Sequence, residues 1–154
     1  MGSRLLLHVL VGVAACSRDA PRELRLDVMA PIRVEITSCA GSAAVTVEVA
    51  NTPEQIKIGL MHRTELPAEH GMLFLMKREK DWSFWMQNTK IPLDIIFITS
   101  GLTVAGVVHR AKPSSAEILR VGAPSLYVLE VNGGWAEQHA IAKGASVRFE
   151  NLKL

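Results

Sequence analysis

The stretch from Gly59 to Ile98 constrains the fold most, because it holds the densest run of apolar residues and two of the three tryptophans. It contains two short apolar runs, GMLFLM (residues 71–76) and WSFWM (residues 82–86), separated by the charged segment KREKD. Short apolar runs on either side of a polar turn are typical of a β-hairpin with both faces covered. We therefore predict a central hairpin, followed by a strand from Pro92 to Ile98.

Short strand patterns also occupy the rest of the chain. Alternation of apolar and polar residues predicts a first hairpin from Ile32–Thr37 and Ala44–Ala50. Later strands are predicted at residues 102–109, 125–131 and 145–149, and residues 110–124 are predicted to form a long loop.

Two short helices are predicted between these strands. Thr52 is followed by Pro53, and Gln55 lies three residues after Thr52, which is typical of a capped helix start. This helix is predicted to end near residue 61 or 62, and one or two helical turns are predicted in residues 135–142. The fold class is therefore mainly β, a single antiparallel sandwich or partly open barrel with one or two short helices.

The length and charge of the chain favour one domain without a nucleic-acid partner. A chain of 154 residues, 49% of them hydrophobic, is long enough to bury one sizeable core. The formal net charge is only +2, and the basic residues are interspersed with acidic ones. Phosphate binding needs clustered cations, so the sequence does not predict nucleic-acid binding.

The N-terminus reads as a targeting segment. Arg4 precedes the apolar run LLLHVLVGVAA, which is short for a membrane span, and VAAC at residues 13–16 is similar to a bacterial lipobox. We predict a signal segment at residues 1–15, a lipid-anchored linker at residues 16–31 that begins with acylated Cys16, and a β domain at residues 32–154. If Cys16 is not acylated, a disulfide with Cys39 is the alternative.

Two carboxylates lie in strands whose other residues are apolar. Asp94 shares a strand face with Ile96 and Ile98, and Glu130 shares one with Leu126 and Val128. A buried carboxylate must find donors or shift its pKa. Asp94 is predicted to bind Arg63, Asn88, Thr89 or the amides of the QNTK turn as a structural tie. The alternative is that Asp94 and Glu130 converge as the acid/base pair of a hydrolase.

Trp85 marks a candidate ligand site near these polar residues. It points to the opposite strand face from Trp82 and Phe84, and core packing is the simpler explanation for it. If only a loop covers that face, Trp85 forms the apolar wall of a shallow pocket. The predicted ligand-binding residues are Arg63, Trp85, Asn88, Thr89, Asp94 and Glu130.

Methionine and histidine residues cluster in the same stretch, which raises a copper hypothesis. Thioether and imidazole groups suit Cu(I), and six such residues fall between positions 61 and 86: Met61, His62, His70, Met72, Met76 and Met86. Alternation of these methionines with aromatic residues instead indicates an irregular β core. We predict no metal and no cofactor, with copper binding as the alternative.

Several motifs together resemble a known family. GLMHR, GMLF, FWMQNT, IPLDIIFI and VLEV occur in this order, and the sequence resembles the prokaryotic secreted-protein family named domain of unknown function 192 over roughly residues 31–151. The resemblance implies a mainly β domain outside the cytoplasm and implies no activity. We predict a non-enzymatic module of the cell envelope, anchored in the membrane through lipid, that binds a small polar ligand or a protein partner.

Overall fold

The computed structural model describes residues 30–153, which form seven strands and two short helices. The predicted signal segment and Cys16 lie outside the described residues. The elements in chain order are β1 Arg33–Ser38, β2 Gly41–Ala50, α1 Pro53–Ile58, β3 His70–Lys80, β4 Leu93–Ile98, β5 Val104–Ala111, β6 Ser125–Asn132, α2 Trp135–Gln138 and β7 Ser146–Glu150. No helix within residues 30–153 is long and apolar enough to span a bilayer.

All seven strands belong to one sheet with the order β5-β4-β6-β3-β2-β1-β7. The sheet curls until its two edges meet, because Thr103 forms a bridge with Ser146. The amide of Val104 also donates to the carbonyl of Ala145 over 2.9 Å. The fold is thus a partly open barrel, and the prediction of a mainly β protein with two short helices is confirmed.

One strand pair departs from the antiparallel arrangement that we predicted. β2 and β3 run parallel, with Thr46 opposite His70 and Ala50 opposite Phe74. Parallel neighbours need a crossover connection rather than a tight turn. Residues 51–69, which include α1, supply that crossover and pass over the outer face of the sheet.

Apolar side chains fill both faces of the sheet. An inner cluster takes residues from all seven strands, among them Val34, Val45, Leu73, Ile96, Val104, Leu129 and Val147. An outer cluster covers the opposite face of β3, β4 and β6 and includes Phe74, Ile95 and Phe97. Connections supply Leu60 and Met86 to the outer cluster, so every residue of β4 is buried.

The predicted central hairpin is wrong in its second strand. β3 continues through the charged residues to Lys80, and the segment WSFWM has no regular strand, only a bridge between Phe84 and Leu119. The reason lies in the sheet, because β3 already has β2 on one side and β6 on the other. We name residues 81–89 the aromatic loop, which lays its side chains across the outer face instead of pairing with β3.

The helices begin as predicted and end earlier. The amide of Gln55 donates to the Thr52 hydroxyl, and the Gln55 side chain accepts from the Thr52 amide, which completes the predicted capping box. The first helix ends at Ile58 because Gly59 adopts a φ of 48°. The second helix spans only Trp135–Gln138.

Candidate functional site

A largely apolar pocket of about 170 Å³ lies between α1 and the aromatic loop, over the outer face of β3 and β6. The end of α1 contributes one wall, from Ile56 to Met61. The opposite wall is aromatic, since the pocket is lined by Phe74, Trp82, Phe84 and Trp85. Trp85 is 48% exposed, so its ring lies at the mouth of the pocket.

The aromatic wall is held in place by edge-to-face packing. The rings of Phe74 and Phe84 lie 5.4 Å apart at 79°, and those of Phe84 and Phe97 lie 5.8 Å apart at 85°. Such geometry places the positive edge of one ring against the negative face of another. The ring of Phe84 therefore anchors the aromatic loop to the sheet, although the loop pairs with no strand of the sheet.

Glu130 is the one acidic residue that lines this pocket. It lies in the middle of β6, opposite Met72 of β3 and Ile95 of β4, and is only 5% exposed. Its carboxyl group has no hydrogen-bond partner among the described residues. Burial raises the pKa of Glu130 to about 8, so the group is mainly a neutral acid at pH 7 and can donate a hydrogen bond.

Gly59 brings the backbone of the helix end close to this acid. A Cβ atom at Gly59 would lie 3.1 Å from Cζ of Phe74 and 3.8 Å from Oε2 of Glu130. Its positive φ also disfavours other residues. The turn at Gly59 therefore sets how tightly α1 closes over the pocket floor.

Asp94 lies on the other face of the sheet and serves a different purpose. In the pairing of β4 with β6, Ile95 is opposite Glu130, so Asp94 and Glu130 point to opposite faces. The fully buried Asp94 carboxylate accepts hydrogen bonds from the backbone amides of Arg110, Gly134 and Ala136 over 2.7, 3.0 and 2.8 Å. The alternative in which Asp94 and Glu130 converge as an acid/base pair is therefore excluded, because the sheet separates the two carboxylates.

Comparison with known proteins places this fold in a family. The sequence matches the family DUF192, described as an uncharacterised ACR, over residues 35–149. The chain belongs to the DUF192 family. The match confirms the predicted family. A comparison of the DUF192 chain with curated proteins found no match.

Two crystal structures are similar to this DUF192 protein. One, described as that of a "putative transcription regulator" from Sinorhizobium meliloti 1021, has a TM-score of 0.75 and 34% identity, and the match covers 80% of this chain and 97% of that chain. The other, a protein of unknown function from Novosphingobium aromaticivorans DSM 12444, has a TM-score of 0.74 and 36% identity, with 90% and 99% covered.

The DUF192 pocket brings together three of the six predicted ligand-binding residues, namely Trp85, Thr89 and Glu130. Arg63 is engaged elsewhere, because its guanidinium binds Glu48 through two hydrogen bonds. Hydrogen bonding from Arg63 also holds the pKa of the Glu48 carboxyl group below its usual range.

The other two predicted residues, Asn88 and Asp94, are not among those that line the pocket. Asn88 is exposed, adopts a φ of 60° and accepts the amide of His62 through its carbonyl. The predicted partners of Asp94 were also wrong, since its donors are distant backbone amides rather than Arg63, Asn88, Thr89 or the QNTK turn.

The first helix was missed as a source of DUF192 pocket residues. Ile56, Ile58, Gly59, Leu60 and Met61 all line the pocket. The sequence did contain a signal for this role. The capped helix carries apolar residues on one face and ends in glycine shortly before the aromatic stretch, so this face must pack against another part of the protein. The surface against which the helix packs is set by the parallel crossover between β2 and β3, which the strand patterns do not reveal.

The residues of the copper hypothesis are divided between core and surface. Met72, Met76 and Met86 are buried in the outer cluster, whereas His62 and His70 are exposed. Within residues 30–153 no three His, Cys, Asp or Glu side chains are grouped so that they could hold a metal ion. These positions favour the core-packing interpretation of the methionines.

Proposed function

We propose that this DUF192 protein is a non-enzymatic binding module of the cell envelope, and that it takes a small ligand in the pocket at Glu130. One observation carries the proposal: a buried carboxyl group without a protein partner lines an apolar pocket that is open to solvent at Trp85. The carboxyl oxygens of Glu130 are not fully enclosed, because the fully enclosed side-chain atoms without a partner in residues 30–153 are Ser125 Oγ and His139 Nε2. The carboxyl group can therefore be reached from the pocket, and a ligand there would supply the hydrogen bond or charge that the protein does not.

The size of the pocket limits the ligand. An engineered cavity of about 150 Å³ in another protein binds benzene, and this pocket measures about 170 Å³. The proposed ligand therefore has roughly six to ten non-hydrogen atoms by that comparison. It carries one polar group toward Glu130 and leaves its remaining atoms against the aromatic wall.

The residues around the pocket support binding rather than catalysis. Among the described residues that line it there is no histidine or cysteine, and Glu130 is its one carboxyl group. General acid–base chemistry usually pairs two titratable groups of different pKa. Asp94 cannot supply the second group, because it lies beyond the sheet.

Fragment binding tests this proposal directly. We expect neutral, cationic or anionic fragments of this size to shift the indole signals of Trp82 and Trp85 in NMR spectra of the full-length protein. Glu130→Gln is expected to weaken binding of the best fragment about tenfold, the effect of one lost polar contact of 1.4 kcal/mol. The control Glu65→Gln removes an exposed carboxylate outside the pocket and should leave binding unchanged. A library that shifts no pocket signal would overturn the proposal.

The envelope location is the second part of the proposal and rests on residues 1–31. An apolar leader followed by a lipobox-like VAAC supports cleavage before Cys16 and acylation of its thiol. We expect mass spectrometry of protein taken from bacterial membranes to give a mature chain that starts at a diacylated or triacylated Cys16. Cys16→Ser should release the protein from membranes, whereas Cys39→Ser, a change at an exposed turn, should not. An intact Met1 on the membrane-bound protein would contradict lipidation.

A protein partner is the second candidate occupant, because two exposed large apolar side chains line the pocket and a third lies next to Leu119, which bridges to the aromatic loop. Ile58 and Trp85 line the pocket and are 54% and 48% exposed. Ile118 is 57% exposed and precedes Leu119, which bridges to Phe84 of the aromatic loop. A partner that covers the mouth would bury all three side chains, whereas a small ligand would leave Ile118 in water.

A further inference from the structure

Within residues 30–153, Glu130 forms no salt bridge. Ile95 and Met72 are its neighbours on the two adjacent strands, and both are apolar. Glu48 lies on the same face, opposite Met72 on β2, but it is already paired with Arg63. Lys57 of α1 is the other charged residue that lines the pocket, and it is exposed and forms no salt bridge with Glu130 among the described residues.

The aromatic wall adds a preference for positive charge. The face of an aromatic ring carries negative partial charge, and ammonium groups bind within about 6 Å of a ring centroid. The aromatic loop already makes one such contact, because Nζ of Lys80 lies 3.9 Å from the centroid of the Trp82 ring. Above about pH 8, where Glu130 is a carboxylate, an anion in the pocket would be repelled by this buried charge, whereas the other charged residue of the pocket, Lys57, lies exposed in water.

From these two features we infer that the pocket at Glu130 binds a small organic ammonium ion, with the Glu130 carboxylate as counter-ion and the aromatic wall beside the cation. This inference rests on the proposed function and names the chemical class of its ligand. Aromatic rings beside the cation are the usual means by which proteins recognise quaternary ammonium groups.

Binding of a cation would release one proton. The acid form of Glu130 gives its proton to the solvent as the ammonium ion enters, so the carboxylate and the cation form a neutral pair. Because the pKa of Glu130 is about 8, the binding-competent carboxylate is a minor form below that pH. The apparent association constant should therefore rise about tenfold per pH unit up to pH 8 and then level off.

The experiment uses three probes of similar size and different charge on the full-length protein. Choline is the cation, its neutral isostere has a tert-butyl group in place of the trimethylammonium group, and trimethylacetate is the anion. Titration calorimetry at about pH 6 and about pH 9 measures each affinity. Repeats in buffers with different ionisation enthalpies count the protons released. Glu130→Gln tests the counter-ion, and Glu65→Gln is the control.

We expect choline to bind at least tenfold more tightly than its isostere at about pH 9, and about a hundredfold more tightly at pH 9 than at pH 6. Glu130→Gln should remove both the preference for choline and the proton release. Equal or tighter binding of the isostere or the anion would overturn the ammonium inference and leave the proposed ligand pocket intact. If none of the three probes binds while other fragments do, the inference also fails; if no fragment binds at all, both fail.

Discussion

Asp94→Asn is expected to lower the free energy of unfolding by about 3 kcal/mol, because the carboxylate accepts three backbone hydrogen bonds in a fully buried position. Asparagine keeps one acceptor oxygen, and its NH₂ group would face a backbone N–H, so at least one donor loses its partner. Two of the bonds go to Gly134 and Ala136 at the start of α2, which has no side-chain cap of its own. The change is therefore expected to loosen α2 together with the backbone at Arg110.

Denaturant unfolding monitored by tryptophan fluorescence measures this loss, and Asp81→Asn is the matched control. Asp81 is exposed, and its nearest contact with Arg120 is 3.7 Å long. Its replacement should change stability by less than about 0.5 kcal/mol. An Asp94→Asn variant that unfolds at the same denaturant concentration as the parent would mean that Asp94 is kept for function at the expense of stability.

Glu130 is expected to make the protein less stable as the pH rises. Its pKa is raised from 4.5 to about 8 by burial, so between these values the folded protein holds a proton that the unfolded chain has lost. Unfolding then releases a proton, and stability falls by about 1.4 kcal/mol per pH unit. The total loss from pH 4.5 to pH 8 is on the order of 4 kcal/mol, after which the contribution is constant.

Glu130→Gln should remove this slope, because glutamine does not titrate. The variant is expected to be more stable than the parent at pH 8 and close to it near pH 4.5. Other carboxylates titrate in the same range, so the informative quantity is the difference between parent and variant in urea unfolding across pH. Glu65→Gln should follow the parent. Parallel curves for the parent and Glu130→Gln would show that Glu130 titrates normally in the folded protein.

The strand patterns predict most of the sheet because alternation is a local property. The first hairpin, the capped start of α1 and strands β4 to β7 all lie where the sequence places them, within a few residues. The aromatic loop was predicted wrongly for the opposite reason. Its apolar run has the composition of a buried strand, and only the occupied edges of β3 prevent it from pairing there.

The candidate site was predicted in part, and the error has one physical origin. Each strand pattern shows which residues share a face within that strand, and it does not show how the faces of two strands correspond. The pairing of Ile95 with Glu130 fixes that correspondence and places Asp94 on the inner face. For the same reason the strand patterns could not predict the partners of Asp94, since Gly134 and Ala136 lie 40 and 42 residues further along the chain.

The position of β1 has a consequence for how the chain folds during synthesis. β1 lies between β2 and β7, so the earliest described strand gains its second neighbour only from the last one. Until β7 leaves the ribosome, the β1–β2 hairpin presents an open edge of unpaired backbone groups, a template for pairing with other chains. A nascent or truncated chain that lacks β7 would therefore be prone to aggregate even though every residue of the pocket had already been made.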